Sequence, residues 1–250
     1  MDPDHARAFR EERSRSGLAP VVVHTTYLVN LASSDQQLRR KSIESIGDDL
    51  IRAESLGAEF VVTHLGSVGV GDRQEGLERV ARALVEITSE APPGPILLLE
   101  NSAGGGGTVG SRLEDLAFLL GHNPQAGLCL DVCHLHVSGE DLSATGSLSR
   151  LVEQLSSLIG LDRLKVVHAN DCRYPSGSHA DRHEHIGEGT LGLEFFRDLV
   201  NHPALADLTC ILETPTMDLE LDLRNIRLIR SLIEAPPPDS DESENPRGRD

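Results

Sequence analysis

Six short apolar runs in this sequence each end in a side chain that can bind a metal ion: His24, His64, Glu100, Asp131, His168 and Glu213. The runs are Pro20-Val21-Val22-Val23-His24, Phe60-Val61-Val62-Thr63-His64, Ile96-Leu97-Leu98-Leu99-Glu100, Gly127-Leu128-Cys129-Leu130-Asp131, Leu164-Lys165-Val166-Val167-His168 and Leu208-Thr209-Cys210-Ile211-Leu212-Glu213. One terminal histidine or acid is ordinary surface decoration; six in six runs form a pattern. Two further segments carry the same donors. In Asp131-Val132-Cys133-His134 a second donor follows the strand by one short turn, and in Asp181-Arg182-His183 an Asp and a His alternate as in an extended loop. A half-buried cluster of carboxylates and imidazoles repels itself or titrates to neutrality unless cations compensate it. Mixed nitrogen and oxygen donors suit zinc or manganese, with zinc the first choice, whereas magnesium alone favours oxygen.

Such a site needs elements that bring distant residues together. Each run has the length of a strand and is largely apolar, as a strand buried on both faces is. Between the runs the period becomes helical. Ile43, Ile46, Leu50 and Ile51 share a face, as do Leu77, Val80, Leu84 and Ile87, and then Leu148, Leu151, Val152, Leu155, Leu158 and Ile159. Ser34 with Gln37, and Ser111 with Glu114, have the spacing of a capping box and predict helix starts there. Further helices are predicted near 190–201 and 218–233, and residues 4–16 read as a helix with no strand before it. Six βα units in a row imply a parallel sheet whose strand C-termini open on one side, where ligands bind. Six is two short of a closed eight-stranded barrel. Residues 1–234 are predicted to form this barrel domain, and the acidic, proline-rich tail 235–250, which has no apolar face, is predicted to be disordered.

Bulk properties narrow the function. With no Trp and 3% aromatic residues, the core rests on Leu, Ile, Val and Ala, the palette of a helix-covered parallel sheet. There is no apolar run of about 18 residues and no basic-then-apolar leader, so a cytoplasmic protein is expected. Cys129, Cys133, Cys172 and Cys210 then read as reduced thiols. A formal charge of −17 argues against a protein that coats nucleic acid, which needs a basic surface. It is compatible with a local phosphate site built on divalent cations.

The ordered set of motifs carries a resemblance. His24-Thr25-Thr26-Tyr27-Leu28-Val29-Asn30-Leu31, His64-Leu65-Gly66-Ser67, Leu99-Glu100-Asn101-Ser102-Ala103-Gly104, Leu130-Asp131-Val132-Cys133-His134, His168-Ala169-Asn170-Asp171, Asp181-Arg182-His183-Glu184-His185-Ile186-Gly187-Glu188-Gly189 and Ile211-Leu212-Glu213-Thr214-Pro215 resemble the endonuclease IV family of apurinic/apyrimidinic endonucleases. The likeness runs from about residue 5 to 233, and D-R-H-E-H-I-G-E-G is its most specific stretch. It implies a TIM barrel that cuts duplex DNA 5′ to abasic sites in base excision repair, using three zinc ions and leaving a 3′-hydroxyl and a 5′-deoxyribose phosphate. Carried onto matching positions, it implies that His24, His64 and Glu100 hold a first ion. Glu100 would bridge to a second, completed by Asp131, His168 and Glu213, while His134, Asp181 and His183 would hold a third, with manganese an alternative at one site. All nine positions carry the residue type the family pattern requires. Glu100 becomes the catalytic residue, fixing the bridged pair and taking a proton from the attacking water.

Other residues have plainer readings beside the functional one. Tyr27 matches a family tyrosine that lies at the DNA, or is a packing residue after a strand. Arg182 and Arg173 are either phosphate contacts or solvated loop arginines. Gly104-Gly105-Gly106-Gly107 lacks the ending of a P-loop and reads as a flexible connector. His185 and His136 sit beside ligands and are expected either to support them or to be exposed, and Cys133 and Cys172 are small packing residues. The sequence also departs from the family pattern, which has two further N-terminal βα units and a loop that helps open the DNA, and often a second histidine after the Gly66-Ser67 position. A mis-called start codon is the expected reason, with a genuinely shortened enzyme or a dimer covering the gap as alternatives; a monomer is expected otherwise. The competing functions are a metal-dependent sugar isomerase or epimerase on the same barrel, and a truncated non-catalytic relative.

Overall fold

The structure is a computed structural model, describing residues 2–215 and 218–234. Helix α1 (Pro3–Ser16) precedes β1 (Val22–His24); then follow α2 (Gln36–Leu56), β2 (Phe60–Thr63), α3 (Arg73–Glu90), β3 (Ile96–Glu100), α4 (Leu113–His122) and β4 (Gly127–Asp131). Two helices come next, α5 (Val132–Ser138) and α6 (Ser147–Leu158), then β5 (Leu164–His168) and a small hairpin of β6 (Asp171–Cys172) and β7 (His183–Glu184). The chain continues through α7 (Gly192–Asn201), β8 (Thr209–Ile211) and α8 (Leu219–Leu232). The main sheet is wholly parallel in the order β1-β2-β3-β4-β5-β8. This is an α/β barrel of TIM type with six strands, as the sequence predicts. Among the described residues β1 and β8 pair on one side only.

Strand alternation divides the core in two. Val61, Leu97, Leu99, Leu128, Leu130 and Val167 pack against the helices in the larger cluster, while Val62, Leu98, Cys129 and Val166 fill the inside of the barrel. The inward layer ends at each edge in a partly buried residue, Val22 on β1 and Ile211 on β8. Between β8 and α8 an apolar hollow of about 640 Å³ lies open, lined by Cys210, Ile211, Leu219 and Ile226 and by none of the nine predicted metal ligands.

Helix positions follow the predicted faces with two exceptions: Ile51 is 55% exposed and Leu158 is 43% exposed, each turned off the buried stripe. Neither predicted capping box forms. Helix α2 is capped by Asp35, whose carboxylate accepts from the N–H groups of Gln37 and Leu38 and so outcompetes Ser34. Helix α4 starts after Arg112 with no side-chain cap; in its first turn Asp115, not Glu114, reaches back to the Gly110 N–H. The predicted tail 235–250 lies outside the described residues.

Candidate metal centre

All six strand-end donors meet at one end of the barrel. His24, Glu100, Asp131 and His168 are the last residues of β1, β3, β4 and β5, whereas His64 comes one residue after β2 and Glu213 two residues after β8. In-register pairing, such as Asp131 beside His168, puts their side chains side by side. Glu100, Asp131, His134 and His168 are buried; His64 and Glu213 are half-buried, and His24 and Asp181 are exposed.

Glu100 stands at the centre. Its Oε2 lies 3.1 Å from His24 Nε2 and 3.0 Å from His64 Nδ1, and its Oε1 lies 2.9 Å from His168 Nδ1. Burial alone raises a carboxyl pKa, but the hydrogen bonds from His168 and His24 and the nearby rings of His64 and His134 outweigh it. They hold Glu100 well below the usual carboxylate range. On the other side, burial opposes charge on His168, yet the Glu100 hydrogen bond and the charges of Glu100, Glu213 and Asp131 raise it to about 9. His64 is lowered, chiefly by burial.

Three sets of donor atoms fall within 4.8 Å of one another: His24, His64 and Glu100; Glu100, Asp131, His168 and Glu213; and Asp131, His134 and His183. The first two coincide with the sets drawn from sequence. In the third, Asp131 stands where Asp181 is expected; Asp181, which is exposed, has its Oδ1 3.2 Å from His134 Nε2 and 3.5 Å from His183 Nε2.

The tautomers fit metal binding. His134 Nδ1 faces the Asn101 carbonyl at 3.0 Å and His183 Nδ1 faces the Glu213 carbonyl at 2.8 Å. A carbonyl can only accept, so both Nδ1 atoms carry a proton and Nε2 is the atom each ring turns toward the carboxylates. Burial opposes charge on His134, but Asp131, Asp181 and Glu100 outweigh it and hold its pKa well above the ordinary imidazole value, so a metal ion at Nε2 would take the place of a proton. Those two Nε2 atoms are buried without a hydrogen-bond partner. Asp181 Oδ1 and Asp131 face them across 3.2–3.7 Å, and imidazole nitrogens buried among carboxylates need a cation, whether a proton or a metal ion, between them. The residues therefore fit a metal ion.

Loops around the donors are tied down individually. Asp131 caps α5 by accepting the His134 N–H through Oδ1 at 2.7 Å, so His134 is delivered by a helix beginning directly at the strand end rather than by a free turn. The stretch carrying Asp181 and His183 pairs through β7 with β6, where Cys172 stands opposite His183. Its far end is held by Asp171, a fully buried carboxylate that accepts four backbone N–H groups, from Cys172, Gly187, Gly189 and Leu191, at 2.8–3.1 Å. A Cβ on Gly189 would collide with Asp171 and the Cys172 carbonyl, which explains the second glycine of G-E-G. Asn225 on α8 fixes the same stretch through His185 and the Ile186 N–H.

The remaining predicted residues divide. Tyr27 is 83% exposed, so the packing alternative fails. It stands with Leu28, Leu65 and Ala103 on a cavity of about 520 Å³ that reaches His64, His134 and Asp181. Arg182 and Arg173 are exposed. The glycine run is no loose connector: Ser67 and Val68 bond to the carbonyls of Gly106 and Gly107, and all four glycines have φ between 53° and 81°. Cys133 and Cys172 are buried packing residues; His136 is buried, accepts the Leu142 N–H and meets Thr190. Sequence reasoning missed Asp171, His179 and the asparagines 30, 101 and 170. His179 has a left-handed backbone (φ 54°) and packs over Gly104 and Gly105 beside the cavity. The available signal was position: Asn101 and Asn170 follow a strand-end donor by one and two residues.

Comparison with known proteins agrees with this geometry. The family model described as the xylose isomerase-like TIM barrel matches residues 1–236. A curated relative from Chloroflexus aurantiacus, named a probable endonuclease 4, is 42% identical over 240 residues, covering 94% of this chain and 84% of the relative. The crystal structure of endonuclease IV from Thermus thermophilus superposes with a TM-score of 0.81 at 39% identity, covering 93% of this chain and 82% of that one. A D-tagatose 3-epimerase-like protein shares the fold at a TM-score of 0.69 and 23% identity, over 92% of this chain and 83% of its own.

Proposed function

We infer that this chain, which belongs to the endonuclease IV family, is a metal-dependent hydrolase that cuts the DNA backbone 5′ to abasic sites, leaving a 3′-hydroxyl and a 5′-deoxyribose phosphate. The observation that carries the reading is the pair of buried, unpartnered Nε2 atoms on His134 and His183, set beside two further donor groups that share Glu100. In this reading His24, His64 and Glu100 hold one zinc ion and Glu100, Asp131, His168 and Glu213 a second. His134, Asp181 and His183 hold the third, with manganese an alternative at one site. Bound there, the ions would bring a water's pKa toward neutrality and offset charge on the phosphate.

The chain's own residues do the positioning. Glu100 is kept ionised, and each of its oxygens faces a different set of rings, which suits a bridging role. Tyr27 and Leu28, at the rim, offer an apolar face for a disrupted base step. On a protein of charge −17, attraction for DNA must come from the site itself. A sugar isomerase needs no third group of donors, so His134, Asp181 and His183 weigh against that alternative.

The direct test is a duplex carrying one tetrahydrofuran abasic analogue, incubated with the protein before and after chelation. Metal-dependent incision 5′ to the analogue is expected. No incision by a folded sample holding about three ions per chain would sink the reading.

A further inference from the structure

Three asparagines each reach from the end of one strand, or the loop after it, to the backbone at the end of the next strand in the sheet. Asn30, after β1, accepts the Ser67 N–H and donates to the Ser67 carbonyl, both at 3.0 Å. Asn101, after β3, accepts the Asp131 N–H at 2.7 Å and donates to the Asp131 carbonyl at 2.8 Å. Each amide thus continues the sheet ladder by one rung where the backbone has diverged. Asn170, after β5, begins the same way, accepting the Glu213 N–H at 2.7 Å. Its NH₂ group goes elsewhere: to Asp131 Oδ2 at 2.7 Å and Glu213 Oε2 at 3.3 Å. The amide cannot be turned round, because the Glu213 N–H requires an acceptor and the two carboxylates require a donor.

We propose that Asn170 is the positioning residue of the second metal group, its amide drawing the Asp131 and Glu213 carboxylates together into one preformed pair of ligands. This rests on the metal-dependent reading above. Asp131 has its other oxygen committed to the His134 N–H, so Oδ2, the atom Asn170 touches, is the one it presents to His168, at 3.8 Å from Nδ1. Glu213 needs the help more. It lies two residues beyond the short edge strand β8, its side chain is 37% exposed, and its Oε2 stands 3.3 Å from His168 Nδ1. Asn170 itself is buried, at 2% exposure. A neutral donor is the suitable group here. It relieves the repulsion between two carboxylates without competing as a cation for the place between them.

Asn170→Asp is the informative variant, since it keeps the shape and an acceptor for the Glu213 N–H but replaces both donated hydrogens with a third negative oxygen. Apo-protein is titrated with zinc against a chromophoric chelator, with folding followed by circular dichroism and no DNA present. The wild-type chain is measured first, so a failure of the three-ion reading appears there, while a failure of the Asn170 assignment appears only in the variants. The expected result is that one of the three ions binds about 10–100-fold more weakly in Asn170→Asp, while the other two, whose donor groups share Glu100 or Asp131 with it, weaken by clearly less. Asn170→Ala, which removes the amide without adding charge, is expected to weaken the same ion and covers the case in which Asn170→Asp does not fold. Unchanged or tighter binding of all three ions in the folded variants, or an equal weakening of all three, overturns the proposal.

Discussion

The middle of the sheet and its two edges support their donors in different ways. β3, β4 and β5 are five residues long, and their terminal donors, Glu100, Asp131 and His168, are at most 2% exposed. β1 and β8 are three residues long, have one neighbour each among the described residues, and bring His24 and Glu213 to the same place from partly solvated chain. In the middle the protein itself fixes the geometry of the donors; at the edges fewer protein groups hold the side chain, and under the metal-dependent reading an ion would contribute more of the order.

Replacing the central donor should have the largest effect. Glu100→Gln keeps the volume but removes the charge shared by His24, His64 and His168, and incision is expected to fall on the order of 10³-fold with the fold retained. Wild-type turnover in that variant would show that the middle of the sheet is not where the chemistry is organised. Next is the support beneath the donors. Asp171→Ala strips the acceptor from four buried N–H groups, and urea denaturation should report a loss of about 3 kcal/mol; a loss under about 1 kcal/mol would mean that water replaces the carboxylate. At the edge, His24→Ala is expected to cost about 10-fold in activity and one of three ions, leaving stability within about 1 kcal/mol of wild type. Should His24→Ala unfold the chain, the division between centre and edge would not hold.

The smallest expected effect is one of pH. His168 is raised to about 9 from its usual 6.5, so its pairing with Glu100 stabilises the metal-free fold fully below about 6.5. That contribution is lost as pH rises through about 9. Melting of the metal-free protein should therefore occur a few degrees lower at about pH 9.5 than at about pH 6.5. The ion-loaded protein should show little of this dependence, because a ligand nitrogen must be unprotonated to bind. Equal pH dependence in both forms would separate His168 from the metal group.

The strands and the donors that end them were legible because a parallel strand buried on both faces leaves an apolar run, and a polar residue closing six such runs stands out. That the sheet is parallel followed from the βα rhythm. Less was legible where side chains compete locally. Ser34 and Asp35 are both good caps, and only the backbone geometry at α2 selects Asp35. The role of Asp171 was hidden because a buried carboxylate facing four N–H groups has no sequence period; the N–H groups come from residues 1–20 positions away. Asn30, Asn101 and Asn170 lie within the motifs, but an asparagine reads as a turn former until its partners across strands are known. Tyr27 was ambiguous for the opposite reason: sequence cannot say which way a residue after a strand turns, and here it turns outward.

Glu100 has one further consequence. Two sites that share one carboxylate are linked thermodynamically: whatever an ion in the His24–His64 group does to the affinity of the Asp131–His168–Glu213 group, an ion there does in return by the same factor. Under the three-ion reading, coupling through Glu100 should make depletion of metal empty the two positions as a pair.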